Sequence, residues 1–384
     1  MIEIQSKLPA QGVTIFSVMS ALAQRLNALN LSQGFPDFPA PPALLEELSQ
    51  ATLDGFNQYS PGDGLLTLRE QVAAQFLKRD GLQLNPVSEI TITPGATIGI
   101  FSAIQALAHA GDEVIIFDPS YDSYAPSIQL VGATPIHIPL TAPDFSVDWN
   151  KVKDAISAKT KMVIVNTPHN PTGAIWSKQD WLNLIELIQN TNIVVLSDEV
   201  YEHLIFDEQQ HYSALSFPEL RHRSYVVGSF GKTFHVTGWK TGYCIASPEL
   251  MKVFRQVYQF ANFCGVTPVQ VALANFMQKH PEHIAELGSF YQAKRDLFNA
   301  GLEQSRFKFT PSSGTYFQSL DYSNIRPDLS DVEMCQYLAE QHKIVSIPVS
   351  VFYKNKPQDL RILRFCFAKK DETLIRAGEI LSSI

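Results

Sequence analysis

Lys232 and Lys240 stand eight residues apart in Ser229-Phe230-Gly231-Lys232-Thr233-Phe234-His235-Val236-Thr237-Gly238-Trp239-Lys240-Thr241-Gly242, directly after a short apolar run. Glycines inside such a loop let the backbone turn sharply and approach a ligand closely. A lysine in that setting can act as a covalent amine, because its charge is readily lost on burial beside other cations.

Three chemistries use residues of these types. A phosphate-binding Walker loop would need its first glycine at position 226, where Val226 stands. Ser229-x-x-Lys232 and Lys240-Thr241-Gly242 match two signatures of serine β-lactamases. In those enzymes the two motifs form separate walls of a cleft, whereas here they are nearly adjacent, and no Ser-Asp-Asn occurs. The third use is a Schiff-base lysine carrying pyridoxal phosphate, with Ser229 and Lys240 on the phosphate. A surface loop with two solvated lysines stays open on this stretch alone.

Other loops offer matching chemistry. Asp198-Glu199-Val200-Tyr201 follows the apolar run Ile193 to Leu196. A carboxylate there can pair with a cationic ring nitrogen, or simply cap a helix. A metal set from Asp198, Glu202 and His203 contains no His-x-x-x-His pair and is a poor one, so no metal is expected. Asn166-Thr167-Pro168-His169-Asn170-Pro171-Thr172-Gly173 would hold the Asn170 amide rigidly, since proline fixes φ and glycine permits a tight reversal. Gly95-Ala96-Thr97 opens a helix after a strand, where free N–H groups and the helix dipole favour an anion. Tyr121 can stack on an aromatic ring. In Arg361-Ile362-Leu363-Arg364-Phe365 the two arginines fall on opposite strand faces, and one pointing inward would suit bidentate carboxylate capture.

The elements that must position these loops follow from apolar patterning. Residues 89–93, 113–117, 134–138, 161–166, 192–197 and 224–228 read as short strands, most of them separated by helical patterns. Continuous apolar strands alternating with helices indicate an α/β sheet buried on both faces. In such sheets ligands bind beyond the carboxyl ends of the strands, where the loops 94–97, 118–121, 166–173, 198–201 and 229–232 fall. Ile15, Met19, Leu22, Leu26 and Leu29 keep helical spacing, which favours an amphipathic first helix over a signal peptide. Helices are also expected over 41–54 and 65–80, with Tyr59 in the loop between them. Beyond Pro248 the rhythm changes to long helices, interrupted near 265–268 and 281, and then to strands at 344–347 and 360–367. That pattern predicts a smaller α+β domain.

The whole chain has 384 residues, enough for two domains, with 45% hydrophobic and 18% charged residues. A net charge of −8 without a basic run argues against nucleic acid. No apolar run is long enough for a membrane span. Cys244, Cys264, Cys335 and Cys366 form no Cys-x-x-Cys pair, consistent with a reducing, cytoplasmic setting.

Together the motifs resemble the class I and II aminotransferases, pyridoxal-phosphate enzymes of fold type I. The resemblance runs from Leu31 to the C-terminus. It rests on Gln33-Gly34-Phe35-Pro36-Asp37-Phe38, Tyr59, Pro94-Gly95-Ala96-Thr97, Asn166 to Gly173, Asp198-Glu199-Val200-Tyr201, Ser229-Phe230-Gly231-Lys232, Gly238-Trp239-Lys240-Thr241-Gly242 and Arg364-Phe365-Cys366-Phe367. These versions look most like the kynurenine/glutamine transaminase branch and its bacterial methionine aminotransferases.

The resemblance implies a large domain over 46–280 with a mainly parallel central sheet. It implies a small domain over 281–384, completed by an N-terminal arm over 1–45. It implies that Lys232 holds the cofactor as a Schiff base and then moves the proton. Asp198 would hold the ring nitrogen, and Tyr201 and Asn170 the ring oxygen. Gly95, Ala96, Thr97, Ser229 and Lys240 would bind the phosphate, Tyr121 would stack on the ring, and Tyr59 would reach in from the partner of a homodimer. Arg364, with Asn170 and the Gly34 backbone, would grip the substrate carboxylate. Lys240 stands where much of the superfamily has arginine; a point charge still serves a phosphate.

Phe16, Phe35, Tyr59, Tyr121 and Phe263 are the candidate side-chain pocket, suiting methionine, aromatic or histidine donors in ping-pong exchange with a 2-oxo acid. Cysteine-S-conjugate β-lyase chemistry would use the same lysine. A pyridoxal-binding regulator would need a DNA-binding module that the chain has neither the length nor the basic patch to supply.

Overall fold

The computed structural model describes residues 2, 4–9 and 12–384. Its strands are β1 Leu29–Asn30, β2 Ile90–Thr93, β3 Glu113–Asp118, β4 Thr134–Pro139, β5 Thr160–Asn166, β6 Val194–Asp198, β7 Ser224–Ser229, β8 Gly242–Ala246, β9 Phe317–Asp321, β10 Ile344–Val345, β11 Ile347–Pro348 and β12 Ile362–Cys366. Seven of them form the central sheet in the order β2-β8-β7-β6-β5-β3-β4.

The expected strands all appear, and the sheet is mainly parallel. One member is new. β8 pairs antiparallel with both β2 and β7, with Gly242 opposite Thr93 on one side and Ser229 on the other. Because it runs backwards, its first residue lies at the edge where its neighbours end. No strand is expected over 242–246 from the sequence. The reversal is what brings Lys240 and Thr241 to the carboxyl edge of the sheet.

Both sheet faces are buried, and successive residues divide between them. Ile115, Val163, Val195, Val226 and Ile245 join one core; Val114, Ile116, Met162, Ile164, Leu196, Val227 and Cys244 join the other. This period of two explains why the strands read as unbroken apolar runs.

Helices cover the faces. Pro42–Leu53 and Leu66–Asp80 begin and end as expected, with Gly81 in the left-handed conformation at the second terminus. Pro248–Ala261, Thr267–Lys279 and Glu282–Ala300 make up the long helical stretch. The first helix, Ile15–Leu26, stops at left-handed Asn27, and its buried Met19 and Ala23 join a third core with β9, β12 and the helix Asp331–His342. The 344–347 stretch is split: β10 pairs parallel with β1, whereas β11 joins the antiparallel order β11-β12-β9.

Candidate active site

One cavity lies at the carboxyl edge of the central sheet, with about 720 Å³ of atom-free space, part of it open to solvent. That is the size of a small-molecule site. Gly95, Ala96, Thr97, Tyr121, Asn170, Asp198, Tyr201, Ser229, Lys232 and Lys240 all line it, together with Asn166, Thr237 and Thr241.

Lys232 sits on a one-turn helix, Phe230–Thr233, rather than in an open loop. Its Nζ donates to the Tyr316 hydroxyl at 2.6 Å and to the Gly34 carbonyl at 3.2 Å. Burial lowers its pKa to about 8. Across the cavity, Asp198 ends β6 with its side chain buried. The Tyr124 hydroxyl donates to Asp198 Oδ2 at 2.6 Å, and burial pushes the carboxyl from the ordinary 3.8 up to about 6. A buried carboxylate with one phenol and one distant backbone N–H, that of Val200 at 3.4 Å, and no cation in contact favours a positively charged ligand atom.

Asn166, at the end of β5 and in register with Asp198, fastens the neighbouring loop. Its Nδ2 donates to the Asp198 carbonyl at 2.9 Å, and its Oδ1 accepts from the Asn170 N–H at 2.8 Å. Asn170 is thereby fixed. Its Oδ1 accepts from the Arg364 guanidinium at 2.8 Å, which leaves the amide NH₂ end to donate elsewhere. His169 in the same loop is buried against Thr172 Oγ1 at 2.7 Å, and burial pulls its pKa down to about 4.

At the far end, the helix Ala96–Leu107 starts without any side-chain cap. Gly95, with φ of +78°, turns the chain into it. The N–H groups of the first turn, the hydroxyls of Thr97, Ser229, Thr237 and Thr241, and the exposed Lys240 are an anion-binding set. Tyr121 approaches Thr97 Oγ1 at 3.5 Å and stands edge-on to Tyr124.

Arg364 is buried on β12 beside the cavity rather than on its wall. It donates to the Ser32 carbonyl at 3.0 Å and lies over the Phe317 ring at 4.0 Å, with the Phe16 and Phe352 rings beyond. Its Nε has no partner, and burial lowers its pKa. Arg361, as the strand parity required, is on the other face, bonding the Pro327 carbonyl.

The structure does not bring every expected residue to the cavity. Phe35, Tyr59 and Phe263 are exposed and line none of it, and half-buried Phe16 packs against Phe352 and Arg364 instead; Phe263 packs edge-on against Tyr59 at 5.2 Å. Gly34 turns its carbonyl toward Lys232, an orientation that cannot grip a carboxylate, so any such role falls to its N–H. Tyr124, Tyr316, Asn166, Thr237 and Thr241 were missed as site residues. A hydroxyl one or three residues from an expected ligand was the available signal, Thr241 next to Lys240 and Tyr124 three after Tyr121.

Behind the cavity is a second polar cluster. Glu199 accepts from Ser197 Oγ at 2.8 Å, the Ala214 N–H at 3.0 Å and Ser213 Oγ at 3.1 Å, and meets His211 at 2.9 Å. Glu202 is paired with Arg79 and Tyr243. Glu199, Glu202 and His211 lie close together; both carboxylates are engaged within the chain, while His211 Nδ1 has no partner.

A lysine with a lowered pKa, a buried carboxylate awaiting a cation, and an anion cradle on one sheet edge define a pyridoxal-phosphate enzyme of fold type I. The chain belongs to the aminotransferase class I and II family, whose model matches residues 27–379. It is similar to a methionine aminotransferase of Escherichia coli, with 47% identity over 380 residues, covering 99% of this chain and 98% of the relative. The solved structure of an E. coli methionine aminotransferase superposes with a TM-score of 0.98 at 46% identity, covering 100% of both chains. N-succinyldiaminopimelate aminotransferase from Mycobacterium tuberculosis superposes with a TM-score of 0.94 at 36% identity, covering 99% of this chain and 100% of that one. Kynurenine–oxoglutarate transaminase 3 of Rattus norvegicus is 36% identical, covering 94% of this chain and 85% of its own length. The protein is therefore an aminotransferase that uses pyridoxal phosphate and exchanges an amino group between amino and 2-oxo acids.

Proposed function

We propose that this aminotransferase takes L-amino acids with apolar, thioether or aromatic side chains, methionine among them, and that the residues around the cavity divide the work as follows. Lys232 Nζ binds the cofactor covalently and carries the proton at the substrate Cα. Asp198 holds the ring nitrogen protonated, with Tyr124 behind it. Asn170 and Tyr201 bond the ring oxygen. The first turn of Ala96–Leu107, with Thr97, Ser229 and Lys240, takes the phosphate. Arg364 and Asn170 take the α-carboxylate. When bound, the cofactor supplies an electron sink for the Cα carbanion.

The observation that carries this division is the orphaned Nε of Arg364, whose guanidinium bonds Asn170, a residue that lines the same cavity as Lys232 and Asp198. Tyr121 on the cavity wall, and Phe16 beside Arg364, support an apolar side chain. Among the described residues Lys232 and Lys240 are the only cations on the cavity wall, so none is left over for a second carboxylate. The methionine and kynurenine specificities named for the relatives point the same way.

The reading includes a homodimer in which Tyr59 and Phe263 complete the partner's site. Tyr59 is 82% exposed, and Phe260 at 90% and Val266 at 56% extend an apolar patch beside it, as a surface for a second copy requires. It also keeps the large unit at 46–280, the small unit at 281–384 with the arm 1–45, and the cytoplasm as the compartment. No helix among the described residues is long and apolar enough to cross a membrane.

The test is the visible absorbance of the purified protein before and after adding methionine without an oxo acid. A yellow band that shifts to the near ultraviolet supports cofactor, amine transfer and donor together. A band that moves with aspartate but not methionine overturns the donor class. Sedimentation of an active monomer would overturn the dimer.

A further inference from the structure

We infer that Tyr316 is a positioning residue for Lys232: its hydroxyl, wedged between Nζ and the Gly34 carbonyl, holds the ε-amine at one side of the cavity whenever that amine carries no covalent bond. The inference rests on the transaminase reading above.

Tyr316 leads into β9 and is fully buried. Its ring is clamped edge-on by Tyr201 at 5.1 Å and Phe317 at 4.9 Å, and leans on Tyr291 at 5.8 Å. The backbone is tied on both sides, through Thr315 N–H to the Leu204 carbonyl at 3.1 Å and Phe367 N–H to the Tyr316 carbonyl at 2.9 Å. The hydroxyl therefore cannot swing away. It donates to the Gly34 carbonyl, which leaves its lone pairs facing Nζ. Nζ in turn donates to both oxygens, at 2.6 Å and 3.2 Å, closing a three-membered set of polar groups.

Only glycine lets the residue-34 carbonyl come this near. A Cβ there would stand 2.8 Å from Phe317 Cζ and 3.4 Å from the Tyr316 ring.

Both acceptors on the amine are neutral. The charged and titratable groups facing it are Arg364, Lys240, Asp198, Cys366 and the Tyr201 and Tyr316 phenols, and none of the charged ones is within hydrogen-bond reach. Tyr316 and Gly34 are thus the groups in contact that favour the ammonium form against burial and the two neighbouring cations, with Asp198 and Cys366 adding to it from a distance. A free lysine chain has four rotatable carbon–carbon bonds, and fixing its end cuts the search for the reacting atom.

The test is Tyr316→Phe, which keeps the ring and removes the acceptor. The cofactor-stripped protein is mixed with pyridoxal phosphate across a pH series, and the rate of visible-band growth reports the fraction of neutral amine. Loss of the acceptor destabilises the ammonium, so the midpoint moves down by about one pH unit, a tenfold change in ionisation. In single turnover with methionine the rate falls about tenfold, while half-saturation stays within about twofold.

An unmoved midpoint with an unchanged rate overturns the inference. So does a loss of cofactor retention and melting temperature with the midpoint in place, which is the mark of a packing role. Should Tyr316→Phe not fold, 3-fluorotyrosine at 316 keeps the hydroxyl but weakens it as an acceptor; a smaller downward shift is expected, and no shift overturns the inference. Failure of the wild-type protein to take up pyridoxal phosphate at any pH would instead sink the functional reading on which this rests.

Discussion

Two arginines separate the front of this molecule from its back. Arg79, behind the sheet edge, pairs with Glu202 and with Asp80 at 2.6 Å. Desolvation pulls its pKa down, yet those carboxylates outweigh it and hold the guanidinium firmly charged. Its partner Glu202 is likewise desolvated, but Arg79 draws it down to about 2. Arg364, at the front, touches only a carbonyl, an amide oxygen and aromatic rings, with the Asp122 charge at a distance and an Nε with no partner. Asp198 and Glu202 repeat the contrast as carboxylates: one raised to about 6, the other lowered. Charges at the back satisfy one another, whereas those at the front wait for a ligand. Buried charge alone does not mark a site; the missing counter-charge does.

The widest gap between the regions should come from Arg364→Met. Its kcat/KM with methionine is expected to fall by about 10²- to 10³-fold, since a buried charged contact is worth about 2–5 kcal/mol. The folded protein should lose no stability, because an incompletely paired buried cation is removed. Steady-state kinetics alongside urea unfolding reads both quantities.

Arg79→Met inverts that pattern. It strands Glu202 in the interior and should cost about 3 kcal/mol of stability, with kcat/KM per folded molecule within about threefold of wild type. A large kinetic loss here at normal stability would break the comparison.

Asp198→Asn sharpens it through pH. The folded carboxyl titrates near 6 against an ordinary 3.8, so the native chain keeps its proton between those values. The stability carried by the protonated form is complete below pH 3.8 and is lost as pH rises through about 6. Without cofactor, the asparagine variant should therefore exceed wild type above pH 6 by at most about 3 kcal/mol, at 1.36 kcal/mol per unit. The advantage should vanish toward pH 4, and thermal melts across that range would read it.

The smallest effect belongs to Tyr124→Phe. Losing one neutral donor to a carboxylate is worth about 1.5 kcal/mol, so kcat/KM should fall roughly tenfold or less.

The division between legible and hidden features has a physical basis. The strands under the cavity could be read because burial on both faces leaves continuous apolar runs. The loops could be read because proline, glycine and asparagine carry backbone constraints in their side chains. Strand parity separated Arg361 from Arg364, but which of them faced inward depended on what packs against β12. β8 escaped because direction leaves no mark on composition: Gly242–Ala246 would look the same parallel or antiparallel. Tyr316 and Tyr124 escaped because their hydroxyls meet Lys232 and Asp198 only across long chain separations. Phe35, Tyr59 and Phe263 are outside the cavity of a single chain, and nothing local distinguishes an aromatic that packs at home from one intended for a neighbour.

The unpaired Arg364 Nε also bears on what the enzyme refuses. A simple amine such as 3-methylthiopropylamine has the thioether of methionine and its amino group, and it would meet no steric obstacle. It would, however, close the cavity over a guanidinium with no anion. Sites built around an obligatory polar partner reject analogues lacking it by about 10⁴-fold. Selection against amines would then come from the protein's own unanswered charge and would need no wall.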